Sequence, residues 1–446
     1  MKKITFLQLL ILNAYWVGIS FMWNSLHPII LPAVLLNFIP DAQKNTWLGI
    51  LTFAGLVIAM VVQPLSGALS DNWQSRWGRR RPLIVIGTIF DFAFLAILGA
   101  AGGLTWLFIG YIGLQFSSNL AHGPLQGLLP DRVPASQLGK ASSLKTFMDM
   151  ASLIIVSLLA GRLMDSSTRD ATLILGVVLA ILAISAAITI CGTKEEPSTP
   201  VHSAVELPNA SSATAGEPGS QLIDLRALSR ETFRINVREN TAYWWLIAER
   251  ALFLLGIYGI QSFAQYYLQD VLRVPDPPKQ TGDLLAAITV GLVVFVVIGG
   301  WLTDRFGAKK VLYAATVITT IGMSLMLFAR TMPTLTVIAS IVGGGIGLFL
   351  TSNWALANAL APSDQAGKFL GLTNLATAGS GALARLEGPA IDALNNAAPG
   401  QWMGYTALFI FGAVCTFASL FLLSKIHPPR VAAGHNPHSN IKRSST

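Results

Sequence analysis

Hydrophobic positions along this chain fall in long runs, without the strict alternation typical of surface strands. Twelve of the runs approach or exceed the roughly 20 residues that a helix needs to cross a hydrocarbon core. Within lipid, each backbone group must find its partner inside its own segment, so these runs are predicted to be helices. The predicted spans are residues 6–36, 47–69, 83–100, 104–128, 141–164, 171–191, 243–268, 284–302, 311–329, 335–361, 369–394 and 402–423.

A polar stretch at residues 194–219, rich in Ser, Pro, Ala and Thr, separates six runs from six. We therefore expect an N-terminal six-helix bundle at residues 1–192, a cytoplasmic linker at 193–241, a C-terminal six-helix bundle at 242–425 and a cytoplasmic tail at 426–446. Late in the linker, four arginines recur at every fourth residue. On a helix they would form one basic stripe, which either lies against anionic lipid headgroups or is simply solvated. The four are Arg226, Arg230, Arg234 and Arg238.

The two halves repeat one another in sequence. Gly-Ala-Leu-Ser-Asp, ending at Asp71, follows the second run, and Gly-Trp-Leu-Thr-Asp, ending at Asp304, follows the eighth. Each is followed by a glycine and several basic residues. A second matching pair ends the fifth and eleventh runs, at Asp165 and Asp392. Two matches in the same order indicate an all-α membrane protein of twelve transmembrane helices in two six-helix, pseudo-symmetric halves.

Composition and charge agree with a membrane protein. Hydrophobic residues make up 53% and charged residues 12% of the chain, whereas soluble domains are about a quarter charged. Most of the 30 lysines and arginines fall at the termini or in alternate loops. The positive-inside rule then places both termini in the cytoplasm, and this distribution argues against a nucleic-acid partner.

Motifs for other chemistry are absent from the sequence. No P-loop for nucleotide phosphates occurs, and the histidines and cysteines are scattered with no metal-ligand spacing. We therefore expect no enzyme activity, no metal and no cofactor.

The loop after the second run, Gly-x-Leu-x-Asp followed by Gly-Arg-Arg, resembles the signature of the major facilitator superfamily. The resemblance extends over essentially the full chain. Residues 70–82, 123–131 and 256–263 are similar to plant sucrose carriers and their animal and bacterial relatives, akin to the glycoside-pentoside-hexuronide:cation symporters. This resemblance implies two bundles that alternate access to a central cavity lined by helices one, four, seven and ten.

Those four helices carry polar and aromatic side chains at helical spacing. Amides and hydroxyls can exchange hydrogen bonds with a polyhydroxylated ligand, and aromatic rings can pack on its C–H surface. The alternative is that the same groups hold helices together. The candidate substrate-binding residues are Trp16, Trp23, Asn24, His27, Gln115, Asn119, His122, Tyr258, Gln261, Gln265, Asn353 and Trp354.

The resemblance also implies a gating role for the repeated loops, in which Asp71 accepts bonds from nearby arginines and from the start of helix eleven. The candidate gating residues are Asp71, Arg79, Arg80, Arg81, Asp131, Asp304, Arg305 and Lys309.

Ionisable residues inside the predicted spans are candidates for coupling transport to an ion gradient. We select Asp91 and Asp149, although Lys145 could pair with Asp149 one turn away. For Glu249 and Glu387 we favour structural ion pairs. Where sucrose carriers place an Asp thought to take the coupling proton, this chain has Gln115, which cannot titrate.

The sequence therefore favours a monomeric secondary transporter in the plasma membrane, in contact with lipid. It would move a small neutral solute, preferably a sugar or glycoside, coupled to H⁺ or Na⁺ or uncoupled. A drug or metabolite exporter of the same superfamily is one alternative. A transport-inactive sensor relative is another.

Overall fold

The computed structural model describes residues 3–71, 73, 75–164, 167–193, 195, 240–362 and 366–426. Within them, twelve long helical spans follow one another. The basic stripe and most of the linker and tail lie outside the described residues. The spans are α1 Phe6–Leu35, α2 Lys44–Asp71, α3 Arg81–Gly99, α4 Leu104–Arg132, α5 Leu138–Leu163, α6 Thr172–Gly192, α7 Thr241–Asp270, α8 Pro277–Phe306, α9 Ala308–Met326, α10 Met332–Leu360, α11a Ala366–Arg385 with α11b Gly388–Ala397, and α12 Met403–Ser424.

Two spans are irregular at positions that matter for the site. In α1, residues Leu26–Ile30 form a turn of π-helix around Pro28, whose ring cannot fit the regular helical ladder. Helix eleven, predicted as one run, is broken between Arg385 and Gly388, and Pro389 in the first turn of α11b supplies no amide hydrogen to continue the helix.

By length and composition, nine helices in the described part of the chain could cross a membrane. The spans outside this group are α4, α9 and α11a. The core of α4 carries Gln115, Ser117, Ser118 and Asn119, whose polar side chains lower its mean hydropathy. All four are buried inside the protein. Large apolar side chains are meanwhile exposed on the outer surfaces of many helices, as expected for contact with lipid.

The packing of the two halves is pseudo-symmetric. In the first half α2 and α3 both pack on α4, and α1 packs on α5 and α6; in the second half α8 and α9 both pack on α10, and α7 packs on α11a and α12. The halves meet through α5 with α8 and through α2 with α11, which are also equivalent pairs. The repeat seen in the sequence is therefore a repeat of the fold.

The contacts between halves concentrate at one end of the bundle. We call the end that carries Asp71 and Asp304 the signature end and the opposite end the far end. The starts of α2 and α8 lie at the far end, and there the backbone of α2 at Gly49 approaches the carbonyl of Arg385 so closely that a side chain would not fit. Gly282 of α8 approaches the carbonyl of Ser157 on α5 in the same way.

The start of α8 lies seven residues before the predicted one. The segment from Pro277 to Asp283 is polar, so hydropathy excluded it. It is helical because Asp276 caps it by accepting a hydrogen bond from the amide of Lys279, and because Arg162 of α5 pairs with Asp283 at 2.7 Å.

Candidate functional site

A cavity of about 260 Å³ lies between the two halves, near the far-end contacts. The first half contributes side chains from α1, α2 and α5, and the second half contributes side chains from α7, α8 and α11a. Its polar and aromatic lining residues are Trp23, Asn24, His27, Thr52, Tyr258, Gln261, Ser262, Thr377 and Arg385.

The wall formed by α1 is held in place by hydrogen bonds from α4. Tyr111 Oη lies 2.9 Å from His27 Nε2 and accepts a bond of 2.8 Å from the Gln115 amide. Tyr111 thus accepts from Gln115 and forms a second hydrogen bond with His27, in which the histidine tautomer decides the donor. Trp23 stacks on His27 with ring centroids 5.0 Å apart, and its indole donates to Ser118 at 3.2 Å. The aromatic surface facing the cavity is thus rigidly positioned.

The opposite wall carries a positive charge. Arg385 is the last residue of α11a, so the helix break places its guanidinium beside the cavity. Its Nη1 donates to the carbonyl of Gly381, one turn back, and its Nε is buried with no hydrogen-bond partner among the described residues.

A second cavity of about 210 Å³ adjoins the first inside the second half. The two share Leu153, Tyr258, Gln261 and Leu285. Most of its other lining residues are Leu, Ile, Met and Phe of α7, α8, α9, α10 and α12. A polar space and an apolar space therefore meet at Tyr258 and Gln261.

Five of the twelve candidate substrate-binding residues line the main cavity, namely Trp23, Asn24, His27, Tyr258 and Gln261. Gln115 lies behind this wall and supports it through Tyr111. The amide nitrogen of Gln265 faces the carbonyl oxygens of Pro28 and Ile29 at 3.0 Å, where it holds α7 against the π-turn of α1.

The other five candidates do not line the cavity, and four of them contact neighbouring helices. The fifth, Asn119, donates to the carbonyl of Gln115 within its own helix α4 at 2.7 Å. Trp16 and His122 meet edge to face with centroids 4.8 Å apart. Asn353 accepts from Arg250 at 2.6 Å and donates to Glu249 at 3.0 Å, and Trp354 packs on the Arg250 guanidinium. These contacts match the alternative that polar groups join helices.

The ionisable candidates lie away from the main cavity. Asp149 accepts a bond of 2.6 Å from Ser20, and the predicted pair with Lys145 is present at 3.5 Å. Asp91 accepts a bond of 2.5 Å from Ser117, between α3 and α4.

The expected ion pairs of Glu249 and Glu387 are absent from the described residues. Glu249 reaches Arg250 only through Asn353. Both carboxylate oxygens of Glu387 are buried without any hydrogen-bond partner, so the prediction for this residue is wrong. Its side chain extends toward Gly259 of α7, where a Cβ atom would overlap the carboxylate.

The signature loop of the first half forms a charged cluster. Arg80 pairs with Asp71 at 2.5 Å and with Asp131 at 2.9 Å, and Arg79 pairs with Asp131 at 2.7 Å. Hydrogen bonds to Asp131 raise the pKa of the Arg79 guanidinium. Arg81 donates to the carbonyl of Ile190. The expected partner of Asp71 at the start of helix eleven lies partly outside the described residues.

The equivalent loop of the second half has different contacts. Lys309 donates to the carbonyl of Ile426 at 2.5 Å, and Arg305 packs over the rings of Trp301 and Phe306. Asp304 forms no ion pair within the part of the chain that the structure describes. The two signature loops repeat in sequence, but their side-chain contacts differ.

The far end joins the halves through buried polar groups. Lys44 pairs with Asp270 at 2.7 Å, and Asp270 also accepts from Tyr405 at 2.7 Å. Asp392 accepts from the side chain of Asn45 at 2.8 Å and from the amide of Thr46 at 2.6 Å. At the signature end, no hydrogen bond or ion pair joins two described residues of opposite halves. The cavity is therefore closed at the far end.

Four polar residues of the cavity lining were not among the sequence candidates, namely Thr52, Ser262, Thr377 and Arg385. Arg385 falls within the eleventh predicted span, and no binding role was predicted for it. The proline four residues later signalled the helix break, but only the packed structure shows that this break places the guanidinium at the cavity.

Known proteins resemble this chain in sequence and in fold. The family described as the Major Facilitator Superfamily matches residues 4–385 and again 277–443. The sucrose transport protein SUC4 of Arabidopsis thaliana is 30% identical over 130 residues, which cover 26% of this chain and 25% of that protein. The hexuronate transporter of Bacillus subtilis is 26% identical over 169 residues, covering 36% and 38%. The chain thus spans between about a quarter and two fifths of the length of these two relatives.

Solved structures share the fold. A D-xylose-proton symporter superimposes with a TM-score of 0.70 at 14% identity, over 95% of this chain and 99% of that one. A bacterial homologue of the human lysosomal transporter Spinster, in an inward-facing and occupied conformation, gives the same TM-score at 14% identity, over 94% and 96%.

Proposed function

Because the chain belongs to the Major Facilitator Superfamily, we propose that it is a secondary transporter that moves a sugar or small glycoside across a membrane by alternating access. The observation that carries this proposal is the cavity between the halves, closed at the far end, with amide, hydroxyl and aromatic groups on its walls. Stretches similar to a sucrose transport protein and a hexuronate transporter support a sugar as the solute.

Substrate binding is assigned to Trp23, Asn24, His27, Tyr258 and Gln261. The remaining candidate substrate-binding residues are assigned a supporting role behind the cavity walls. The stacked Trp23 and His27 offer an apolar face to a pyranose ring, and Gln261 offers an amide to its hydroxyls. Gating is assigned to the cluster of Asp71, Arg79, Arg80, Arg81 and Asp131, and to Asp304, Arg305 and Lys309.

The signature end is proposed to face the cytoplasm, together with both termini, because the basic loops lie there. The conformation described here would then be open toward the cytoplasm. We further propose that the transporter is a monomer in the plasma membrane. Its N-terminal bundle ends at residue 192, its linker at residue 241 and its C-terminal bundle at residue 425.

The adjoining apolar cavity is the observation that favours the second candidate function, an exporter of amphipathic drugs or metabolites.

A transport assay with one cavity variant tests the proposal. Purified protein in liposomes is expected to take up at least one labelled sugar or glycoside from a panel. Gln261→Leu removes one hydrogen-bonding group from the cavity wall, which should raise the KM for that solute about tenfold, since a lost hydrogen bond costs about 1.4 kcal/mol.

The matched control is Gln401→Leu, the same change at an exposed position before α12. Its KM should stay within twofold of the wild type. Efflux of ethidium with no uptake of any sugar would support the exporter instead, and binding without flux would indicate a sensor.

A further inference from the structure

Arg385 differs from the other cations deep within the spans. Lys145 has Asp149 at 3.5 Å, and Arg250 is linked to Glu249 through the amide of Asn353. Among the described residues, no carboxylate lies within ion-pair distance of Arg385. Its charge is therefore uncompensated in this conformation.

An unpaired guanidinium away from bulk water is unfavourable unless an anion or water supplies the missing bonds. Arg385 lines the cavity wall, and its Nε has no hydrogen-bond partner among the described residues. A guanidinium group binds the two oxygens of a carboxylate through two parallel hydrogen bonds, so a carboxylate in the cavity would compensate this charge.

We propose that the transported solute carries a carboxylate and that Arg385 binds it. The inference rests on the transporter function proposed above and narrows the solute from a neutral sugar to a sugar acid or an acidic glycoside. Its ring would lie between Trp23 and Gln261, with the acid group toward α11a. An apolar substituent, where present, could extend past Tyr258 into the adjoining cavity.

The test uses pairs of labelled sugars that differ only in a carboxylate, galacturonate with galactose and glucuronate with glucose, in liposomes. The acid of at least one pair should be taken up at least tenfold faster than its neutral partner. Arg385→Gln should reduce uptake of the acid at least tenfold and reverse the preference, while Arg385→Lys keeps part of it. Arg330→Gln, a change at an exposed loop arginine, is the control.

Two outcomes distinguish the failure of the carboxylate inference from the failure of the proposed transporter function. Equal uptake of acid and neutral sugar, unchanged by Arg385→Gln, would overturn the inference and leave the transporter function standing. No uptake of any sugar by correctly folded wild-type protein would overturn both.

A separate observation concerns Glu387. Both of its oxygens are buried without partners, although it lies only two residues from Arg385. The surrounding helices carry the titratable or charged groups Arg385 and Asp392 of α11, Tyr258, Tyr266, Tyr267 and Asp270 of α7, Cys415 and Tyr405 of α12, and Lys44 of α2. None of them bonds to Glu387. A carboxylate without bonds in such a place is strongly disfavoured relative to the neutral acid.

The position of Glu387 links it to the far-end closure. The next residue, Gly388, lies against the carbonyl of Asn45 in α2, so opening the far end would separate α2 from this part of α11. Water entering there could solvate the carboxylate. The sequence lacks a carboxylate at the place of Gln115, so a proton site elsewhere is needed for coupling to H⁺.

We infer that Glu387 is the proton-binding site of this transporter. It takes a proton from water while the far end is open, keeps it as the neutral acid while the far end closes, and releases it to water that enters from the signature side through the cavity beside Arg385. Together with a monoanionic solute at Arg385, one proton at Glu387 makes the transported pair electrically neutral. Like the first inference, this one rests on the proposed transport function.

Glu387→Gln imitates the protonated acid and cannot release a proton. The variant should keep exchange of labelled for unlabelled solute within threefold of the wild type, but should lose accumulation driven by an imposed pH gradient. Asp283→Asn, at an exposed carboxylate, should keep both activities. Elution of each variant as a single detergent-solubilised species confirms folding.

Accumulation that persists in Glu387→Gln would overturn the assignment. The assignment would also be overturned if accumulation were lost in Asp91→Asn or Asp149→Asn but kept in Glu387→Gln. Wild-type uptake that ignores the pH gradient would refute proton coupling without affecting the transporter function.

Discussion

At the scale of single residues, the strongest link between the halves is the pair Lys44 and Asp270. Nitrogen and oxygen are 2.7 Å apart, and the two side chains are only 3% and 5% exposed. Removing one partner of such a buried pair costs about 3–5 kcal/mol, because the other charge is left unpaired. Most of that cost would disappear if the far end opened and water reached Asp270.

Lys44→Met is therefore expected to shift the equilibrium toward the conformation open at the far end. A change of about 5.5 kcal/mol moves a two-state equilibrium from 1:99 to 99:1, so a shift of about 3 kcal/mol should be easily detected. The measurement is the labelling of Thr52→Cys in the cavity by a membrane-impermeant maleimide added at the far-end side, with Cys191 and Cys415 replaced by Ala. Labelling should become at least tenfold faster.

Arg162→Met serves as the control, because the Arg162–Asp283 pair also joins the halves at 2.7 Å but is 44% and 41% exposed. Exposed pairs contribute about 0–1 kcal/mol. Its labelling rate should change less than fivefold. A rate for Lys44→Met no higher than that of Arg162→Met would show that this buried pair does not hold the far end closed.

At the scale of helices, the long hydrophobic runs predicted all twelve spans, and most ends agree within about three residues. The two larger differences have local causes. The first turns of α8 are helical because of a cap and an ion pair, and helix eleven breaks ahead of Pro389. Hydropathy responds to neither effect.

The candidate site shows a related limit. Trp16, Trp23 and His27 lie on one face of α1, as their spacing predicts, but only the latter two reach the cavity. Trp16 lies nearer the signature end, where it packs on His122 of α4 and on Lys145 of α5. Periodicity gives the face of a helix. The position along the helix at which the two bundles diverge and form the cavity depends on how the bundles pack. A single sequence gives no information on that packing.

At the scale of the whole molecule, the contacts between halves divide unequally between the two ends. Buried ion pairs, hydrogen bonds and backbone contacts close the far end, whereas the charged cluster of Asp71, Arg80 and Asp131 stays within the first half. Alternating access would require the far-end contacts to break as new contacts form at the signature end. Each half can move as a unit because its own helices remain packed.

Joining the halves at the far end should therefore stop transport without disturbing either half. Arg162→Cys and Asp283→Cys, in the background without Cys191 and Cys415, place two exposed thiols on α5 and α8. A bifunctional methanethiosulfonate reagent should join them and reduce net uptake at least tenfold, and a reducing agent should restore it. Thr331→Cys with Thr334→Cys, both in the second half at the start of α10, controls for the reagent. Because the far end must open once in every cycle, full uptake by the crosslinked protein would contradict alternating access through this cavity.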